Sequence, residues 1–291
     1  MLQSPPETST QSTRYTAICT DGTRIACHRF GQGSRTPIIL THGTFSSHQG
    51  CQGLAQHLAL CGYDVWAFDW RGHGASDTPT AQYDFETVAL QDVPAVKELV
   101  KRETQTAKSI WLAHSGGGLV MAMWMARHPD QANQDVLGLG MLATQANQAA
   151  ALTAHRQKIE NMAGWLADMD IIPARALGVG SDPESAHLMR QWCRWNLSGA
   201  FHGAQGFDYL AALPSLHMPV LTLAGAGDHF VAPPQGCFGF ANAFGSTDKT
   251  LVQCGKSYGF LEDYEHGRIL ASSSARKEIW PRVADWVSKH V

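Results

Sequence analysis

The chain has 291 residues, 44% of them apolar and 16% charged, a balance that fills a large core and excludes a disordered chain. The net charge of −3, with no cluster of Lys or Arg, excludes an electrostatic nucleic-acid binder. No apolar run reaches the length of a membrane span, and the 14 histidines show neither HxxxH nor HExxH spacing, so no membrane span, metal or other cofactor is expected.

Residues 1–13 are polar and rich in Ser, Thr and Pro, with no apolar stretch of the signal-peptide kind, and read as a loose tail. Tyr15–Cys19 and Arg24–Phe30 flank Asp21-Gly22 and read as a hairpin. Pro37–Thr41 is a short buried strand ending at His42-Gly43. Gln49–Leu60 has helical spacing and Gly62 is its stop signal. Asp64–Phe68 is the next strand, and Phe85–Lys101 is an amphipathic helix. Ser109–Ala113 is a strand, Gly116–Arg127 a helix and Val136–Leu142 a strand. This alternation predicts an α/β fold, with a mostly parallel sheet and helices on both faces.

The alternation breaks between residues 145 and 213, where helical spacing continues without a convincing strand. That stretch holds Trp165, Trp192, Trp195, Phe201, Phe207 and Tyr209. Strands return at Pro219–Ala224 and Lys249–Cys254, and Ala275–His290 closes the chain as a helix. A helical stretch between two strands predicts a cap over the carboxyl edge of the sheet, where open α/β folds bind ligands. The expected organisation is a tail at 1–13, a core at 14–144 and 214–291, and a cap at 145–213. The seven cysteines are scattered and form no CxxC pair, which predicts free thiols in a reducing, cytoplasmic compartment.

Ser115 stands in Ala113-His114-Ser115-Gly116-Gly117, after a strand and before a helix. This is the setting of a nucleophile elbow, a turn so tight that the residues two places away on either side must be small. Ala113 stands where glycine is usual and keeps that steric requirement. A capped helix start would share the local pattern, so the assignment rests on finding a base and an acid. In this strand–helix arrangement they follow in the order Ser, acid, His. Asp228 ends the segment Gly225-Ala226-Gly227-Asp228 just beyond a strand, and His266 lies between the last strand and the last helix. His229 is a rival base and Asp263 and Glu265 are rival acids. His229 adjoins the acid in sequence, and neither rival acid ends a strand. Backbone N–H groups of Gly116 and Thr44 are the expected oxyanion donors.

His42-Gly43-Thr44, Asp69-Trp70-Arg71-Gly72-His73-Gly74-Ala75-Ser76, His114-Ser115-Gly116-Gly117-Gly118, Gly225-Ala226-Gly227-Asp228 and His266 together resemble the α/β-hydrolase superfamily, in its bacterial esterase- or lysophospholipase-like group. The resemblance spans roughly residues 15–290 and implies an eight-stranded sheet with a helical lid between strands six and seven. It implies a structural role for the Asp69–Ser76 loop. There is no His-Gly-Gly-Gly run, which separates the chain from esterases that build their oxyanion hole that way.

A serine nucleophile implies acyl transfer and excludes the aspartate mechanism of dehalogenases and epoxide hydrolases. The expected activity is hydrolysis of a carboxylic ester with a small, medium or lipid-like acyl group. Acyltransferase, thioesterase, amidase and carbon–carbon bond hydrolase share the same catalytic group, and a non-catalytic binding protein shares the scaffold. Phe45, Trp165 and Trp192 are the expected pocket residues, with Met162, Met169 and Met189 as further apolar candidates. The expected partner is a small-molecule acyl substrate.

Overall fold

The computed structural model describes residues 11–32 and 36–291. Most of the expected tail lies outside the described residues. Thr13, expected in that tail, is instead the first residue of a strand, paired with Arg29.

The chain opens with β1 (Thr13–Ile18), β2 (Arg24–Phe30), β3 (Pro37–Thr41), α1 (His48–Leu60) and β4 (Asp64–Phe68). There follow α2 (Phe85–Thr87), α3 (Val93–Thr104), β5 (Ser109–His114), α4 (Gly116–Arg127), α5 (Pro129–Asp135) and β6 (Val136–Leu142). Next come α6 (Thr153–Trp165), β7 (Ile171–Ile172), α7 (Ala174–Leu177), β8 (Glu184–Ser185), α8 (Ala186–Ser198) and α9 (Tyr209–Ala212). The chain ends with β9 (Val220–Gly225), α10 (Pro234–Asn242), β10 (Lys249–Cys254), α11 (Arg268–Ala271) and α12 (Ser273–Ser288).

Eight strands form one sheet in the order β1-β2-β4-β3-β5-β6-β9-β10. The β1–β2 and β2–β4 pairs are antiparallel, and the remaining five strand pairs are parallel. Strands β3 and β4 are buried at every residue, as inner strands of a sheet covered on both faces must be. Two apolar clusters cover the faces. One contains Trp66, Trp111 and Trp124, with α3 and α4; the other contains Leu54, Leu58, Ile279 and Trp286, from α1 and α12.

The expected single helix over Phe85–Lys101 is interrupted. Val88–Asp92 widens into a π-helical turn between α2 and α3. Pro94 sits just beyond it; its ring crowds the carbonyl four residues back, which an unbroken α-helix cannot accommodate. The stretch between β6 and β9 is mostly helical, but it also carries the two-residue antiparallel ribbon β7–β8. Two residues per strand are too short for any alternation to register in sequence. Among the described residues no helix is long and apolar enough to cross a membrane.

Candidate active site

Four loops meet at the carboxyl ends of the parallel strands: those after β3, β5, β9 and β10. This is the edge at which an open α/β sheet presents its ligand site.

Ser115 occupies the sharp turn between β5 and α4 with φ 54° and ψ −127°. A non-glycine residue at such a backbone angle costs about 1–3 kcal/mol, so the surroundings must hold it. They do so through its backbone: the Ser115 N–H donates to Leu142 O at 2.8 Å, and its carbonyl accepts from the Thr144 hydroxyl at 2.8 Å and from Gly118 N–H at 3.1 Å. The surrounding glycines are dictated by space. A Cβ on Gly43 would lie 2.6 Å from Ser115 Cβ, and one on Gly118 would lie 2.5 Å from Thr144 Oγ1. Ala113 lies inside β5, paired with Thr41 and Met141, and a methyl group fits there.

Ser115 Oγ is 2.8 Å from His266 Nε2. His266 Nδ1 is 2.6 Å from Asp228 Oδ2, and Asp228 Oδ1 accepts from the N–H groups of Val231 and Ala232 at 3.1 and 3.0 Å. Burial raises the Asp228 carboxyl, but its hydrogen bond to His266, the imidazole charge and the two N–H groups outweigh burial and hold it below the ordinary carboxylate value. The loops that carry Asp228 and His266 are packed backbone to backbone: Gly227 N–H donates to Tyr264 O at 3.0 Å, and a Cβ on Gly225 would lie 2.1 Å from that oxygen. The rivals stand apart. His229 and Glu265 are exposed, and Asp263 accepts from Lys256 N–H at 2.9 Å.

Two histidines beside the site are neutral. His114 Nε2 donates to His266 O at 2.9 Å, steadying the loop that carries His266, and burial together with the nearby His266 pushes its pKa down to about 3. His42 Nε2 accepts from Trp70 N–H at 3.1 Å, so its proton is on Nδ1, which faces Gly43 O at 2.7 Å. Burial, with His73 nearby, pushes His42 down to about 4.

The Asp69–Ser76 loop is a scaffold. The buried Asp69 carboxylate accepts from His48 N–H at 2.6 Å, Ala75 N–H at 3.0 Å, His48 Nδ1 at 2.9 Å and His28 Nε2 at 3.1 Å. Gly74 has φ +52°, and a Cβ there would lie 2.2 Å from Asp69 Oδ2, so glycine is obligatory. Those four donors take up the carboxylate's lone pairs within the protein, which fits a structural acid better than a metal ligand.

Above Ser115 lies a cavity of about 510 Å³. Phe45, Phe85, Leu119, Met162, Met189 and Trp192 are among its lining residues, as are Thr44 and Gly116. Among the described residues, the Thr44 and Gly116 N–H groups donate to no protein acceptor. No Asp, Glu, Lys or Arg among the described residues lines the cavity. Trp165 requires a correction: it does not line the cavity and is 50% exposed at the end of α6, with Met162 one turn earlier taking the inward position. Met169 is likewise absent from the wall. The other aromatics of this stretch pack on one another, Trp195 against Phe201 with centroids 4.7 Å apart, and Phe201 against Tyr209 at 5.2 Å. Phe85, Leu119 and Phe230 line the cavity without a sequence signal of their own, because apolar residues at these positions look the same as core.

Residues 32–258 match the family described as serine aminopeptidase, S33. The chain belongs to this α/β-hydrolase family. It is 32% identical over 112 residues to a non-heme chloroperoxidase of Streptomyces lividans, covering 38% of this chain and 39% of that enzyme. It is 26% identical over 259 residues to mouse monoglyceride lipase, covering 83% of this chain and 81% of the lipase. The fold is similar to that of an esterase from Exiguobacterium antarcticum, with a TM-score of 0.66, 18% identity and coverage of 95% of this chain and 100% of that one.

Proposed function

We propose that this chain is a serine hydrolase that cleaves an uncharged carboxylic ester through an acyl-serine intermediate. The observation that carries the reading is the hydrogen-bonded series Ser115–His266–Asp228, spaced 2.8 and 2.6 Å, at the floor of an apolar cavity. Ser115 Oγ attacks the ester carbonyl while His266 Nε2 takes its proton. Asp228 holds the imidazole by its Nδ1–H and balances the imidazolium that forms. The Thr44 and Gly116 N–H groups donate hydrogen bonds to the negative charge that develops on the former carbonyl oxygen. The tetrahedral adduct collapses, His266 gives its proton to the departing alkoxide, and an alcohol leaves. Water repeats the sequence on the acyl-serine and releases a carboxylic acid.

The wall of the cavity supports an ester over a peptide with a free amino terminus. An aminopeptidase must pair the substrate ammonium with a carboxylate, and among the described residues none that lines the cavity supplies one. In this reading residues 145–213 act as a cap, with Met162, Met189 and Trp192 facing the acyl group. A reducing, cytoplasmic setting is supported by six buried, unbridged cysteines among the described residues, Cys19, Cys27, Cys51, Cys193, Cys237 and Cys254.

The test is turnover of p-nitrophenyl butyrate by wild type and by Ser115→Ala. Loss of turnover in the variant, with unchanged unfolding, is the expected result; equal turnover removes Ser115 from the mechanism.

A further inference from the structure

Phe45 follows the oxyanion donor Thr44 and has φ 61°, a left-handed backbone that a non-glycine residue adopts only when held. The grip comes from residues far along the chain, just before α8. Phe45 N–H donates to Glu184 Oε2 at 3.2 Å, across 139 residues of sequence. Phe45 O accepts from Ser181 N–H at 2.9 Å and Asp182 N–H at 3.2 Å. Gly180 closes the grip: a Cβ there would lie 2.3 Å from Phe45 O and 2.4 Å from Phe45 Cβ.

The gripping segment is itself anchored. Glu184 is 0% exposed; its Oε1 accepts from Ser185 N–H at 2.9 Å and its Oε2 faces His73 Nε2 at 3.2 Å. Asp182 Oδ1 accepts from Gly74 N–H at 2.9 Å. Residues 180–184 are therefore tied to the rigid Asp69–Ser76 loop on one side and to both backbone groups of Phe45 on the other.

We propose that Glu184 is a positioning residue for the oxyanion hole: by fixing the Phe45 peptide from the cap segment, it aims the Thr44 N–H at the reacting carbonyl oxygen. The inference rests on the reading of Thr44 as an oxyanion donor given above. A peptide N–H is directional, and fixing the planes on both sides of Phe45 leaves Thr44 little freedom to swing. A carboxylate acceptor is stronger than a neutral one, and His73 beside it balances its charge inside the protein. The cap thereby contributes to transition-state binding as well as to the pocket wall.

The experiment compares wild type with Glu184→Ala, Glu184→Gln and Gly180→Ala, with Ser115→Ala as control. Measured are kcat and KM for p-nitrophenyl butyrate, Ki for an aryl trifluoromethyl ketone, which adds to the serine and leaves an oxyanion, and thermal unfolding. Removing one oxyanion donor outright costs about 100- to 1,000-fold in kcat, so misaiming one should lower kcat by about 10- to 100-fold in Glu184→Ala. KM should stay within about twofold, and the ketone Ki should rise in step with the fall in kcat. Glu184→Gln keeps an acceptor for Phe45 N–H and should recover most of kcat. Gly180→Ala pushes on Phe45 without touching the buried carboxylate and should reproduce the kcat loss. A folded Glu184→Ala or Gly180→Ala enzyme with wild-type kcat overturns the proposal, as does a loss confined to KM. If Glu184→Ala does not fold, Gly180→Ala decides. Activity in Ser115→Ala would instead overturn the underlying mechanism.

Discussion

Gly117 packs so tightly against His42 that a Cβ on it would lie 2.5 Å from the His42 carbonyl oxygen. Here the first turn of α4 crosses the end of β3, which brings the Ser115 turn and the Thr44 loop side by side. Two backbones approach this closely only where a side chain is missing. Gly117→Ala is therefore expected to lose about 1–3 kcal/mol of stability, the usual range for overpacking, and most of its turnover. Urea unfolding and p-nitrophenyl butyrate hydrolysis measure both. Wild-type values for both would mean that the crossing is looser than described.

The bond from Asp228 to His266 Nδ1 fixes which nitrogen faces Ser115. Asp228→Asn presents an amide that can donate to Nδ1 and so favours the wrong tautomer. The expected fall in kcat is about a thousand- to ten-thousand-fold, as for the analogous change in a serine protease. Stopped-flow or steady-state turnover reads it directly, and a fall of less than tenfold would point to Asp263 or Glu265 as the acid.

The His73–Glu184 contact makes stability depend on pH. Burial alone lowers the His73 pKa, but the charge and hydrogen bond of Glu184 outweigh it and raise it from 6.5 to about 8. A raised folded pKa stabilises the protein below the unfolded value and loses that contribution as pH rises through the folded one. Unfolding free energy should decline between about pH 6.5 and 8, with His73 contributing on the order of 2 kcal/mol. His42, with its ring 5.3 Å away, and Asp182 also face His73, and Glu184→Gln isolates the Glu184 share. Denaturation curves across that window should flatten in the variant; an unchanged slope would remove the pair as its source.

Two tryptophans of the same stretch differ in what they touch. Trp192 lines the cavity, and Trp165 is exposed. Trp192→Ala should raise the ratio of kcat/KM for p-nitrophenyl octanoate over butyrate by about 10-fold or more, since each methylene accommodated is worth roughly 1–3 kcal/mol. Trp165→Ala should leave that ratio within about twofold. The reverse pattern would mean that the acyl group lies elsewhere.

Much of this arrangement was legible in the sequence because it rests on local rules. Pro37–Thr41 and Asp64–Phe68 read as strands because inner strands covered on both faces form short, mostly apolar runs, and their boundaries match residue for residue. Ser115, Asp228 and His266 could be named in order because each follows a strand, and strand ends are what bring distant loops together. What the sequence did not carry is contact across long separations. Trp165 and Trp192 have the same composition signal, and only the packing of α6 and α8 separates them. The short helices α5, α10 and α11 lack a long enough periodicity to stand out. Glu184 is the clearest case: it is one acidic residue after a proline, and its partners Phe45 and His73 are set by the fold alone.

In the proposed mechanism Ser115 forms the covalent intermediate. A fluorophosphonate that phosphonylates activated serines should add one adduct to the wild-type protein, and peptide mass spectrometry should map it to Ser115. His266→Ala, with the base removed, should label far more slowly. An unlabelled wild-type protein that still hydrolyses esters, or an adduct on another residue, would contradict the mechanism.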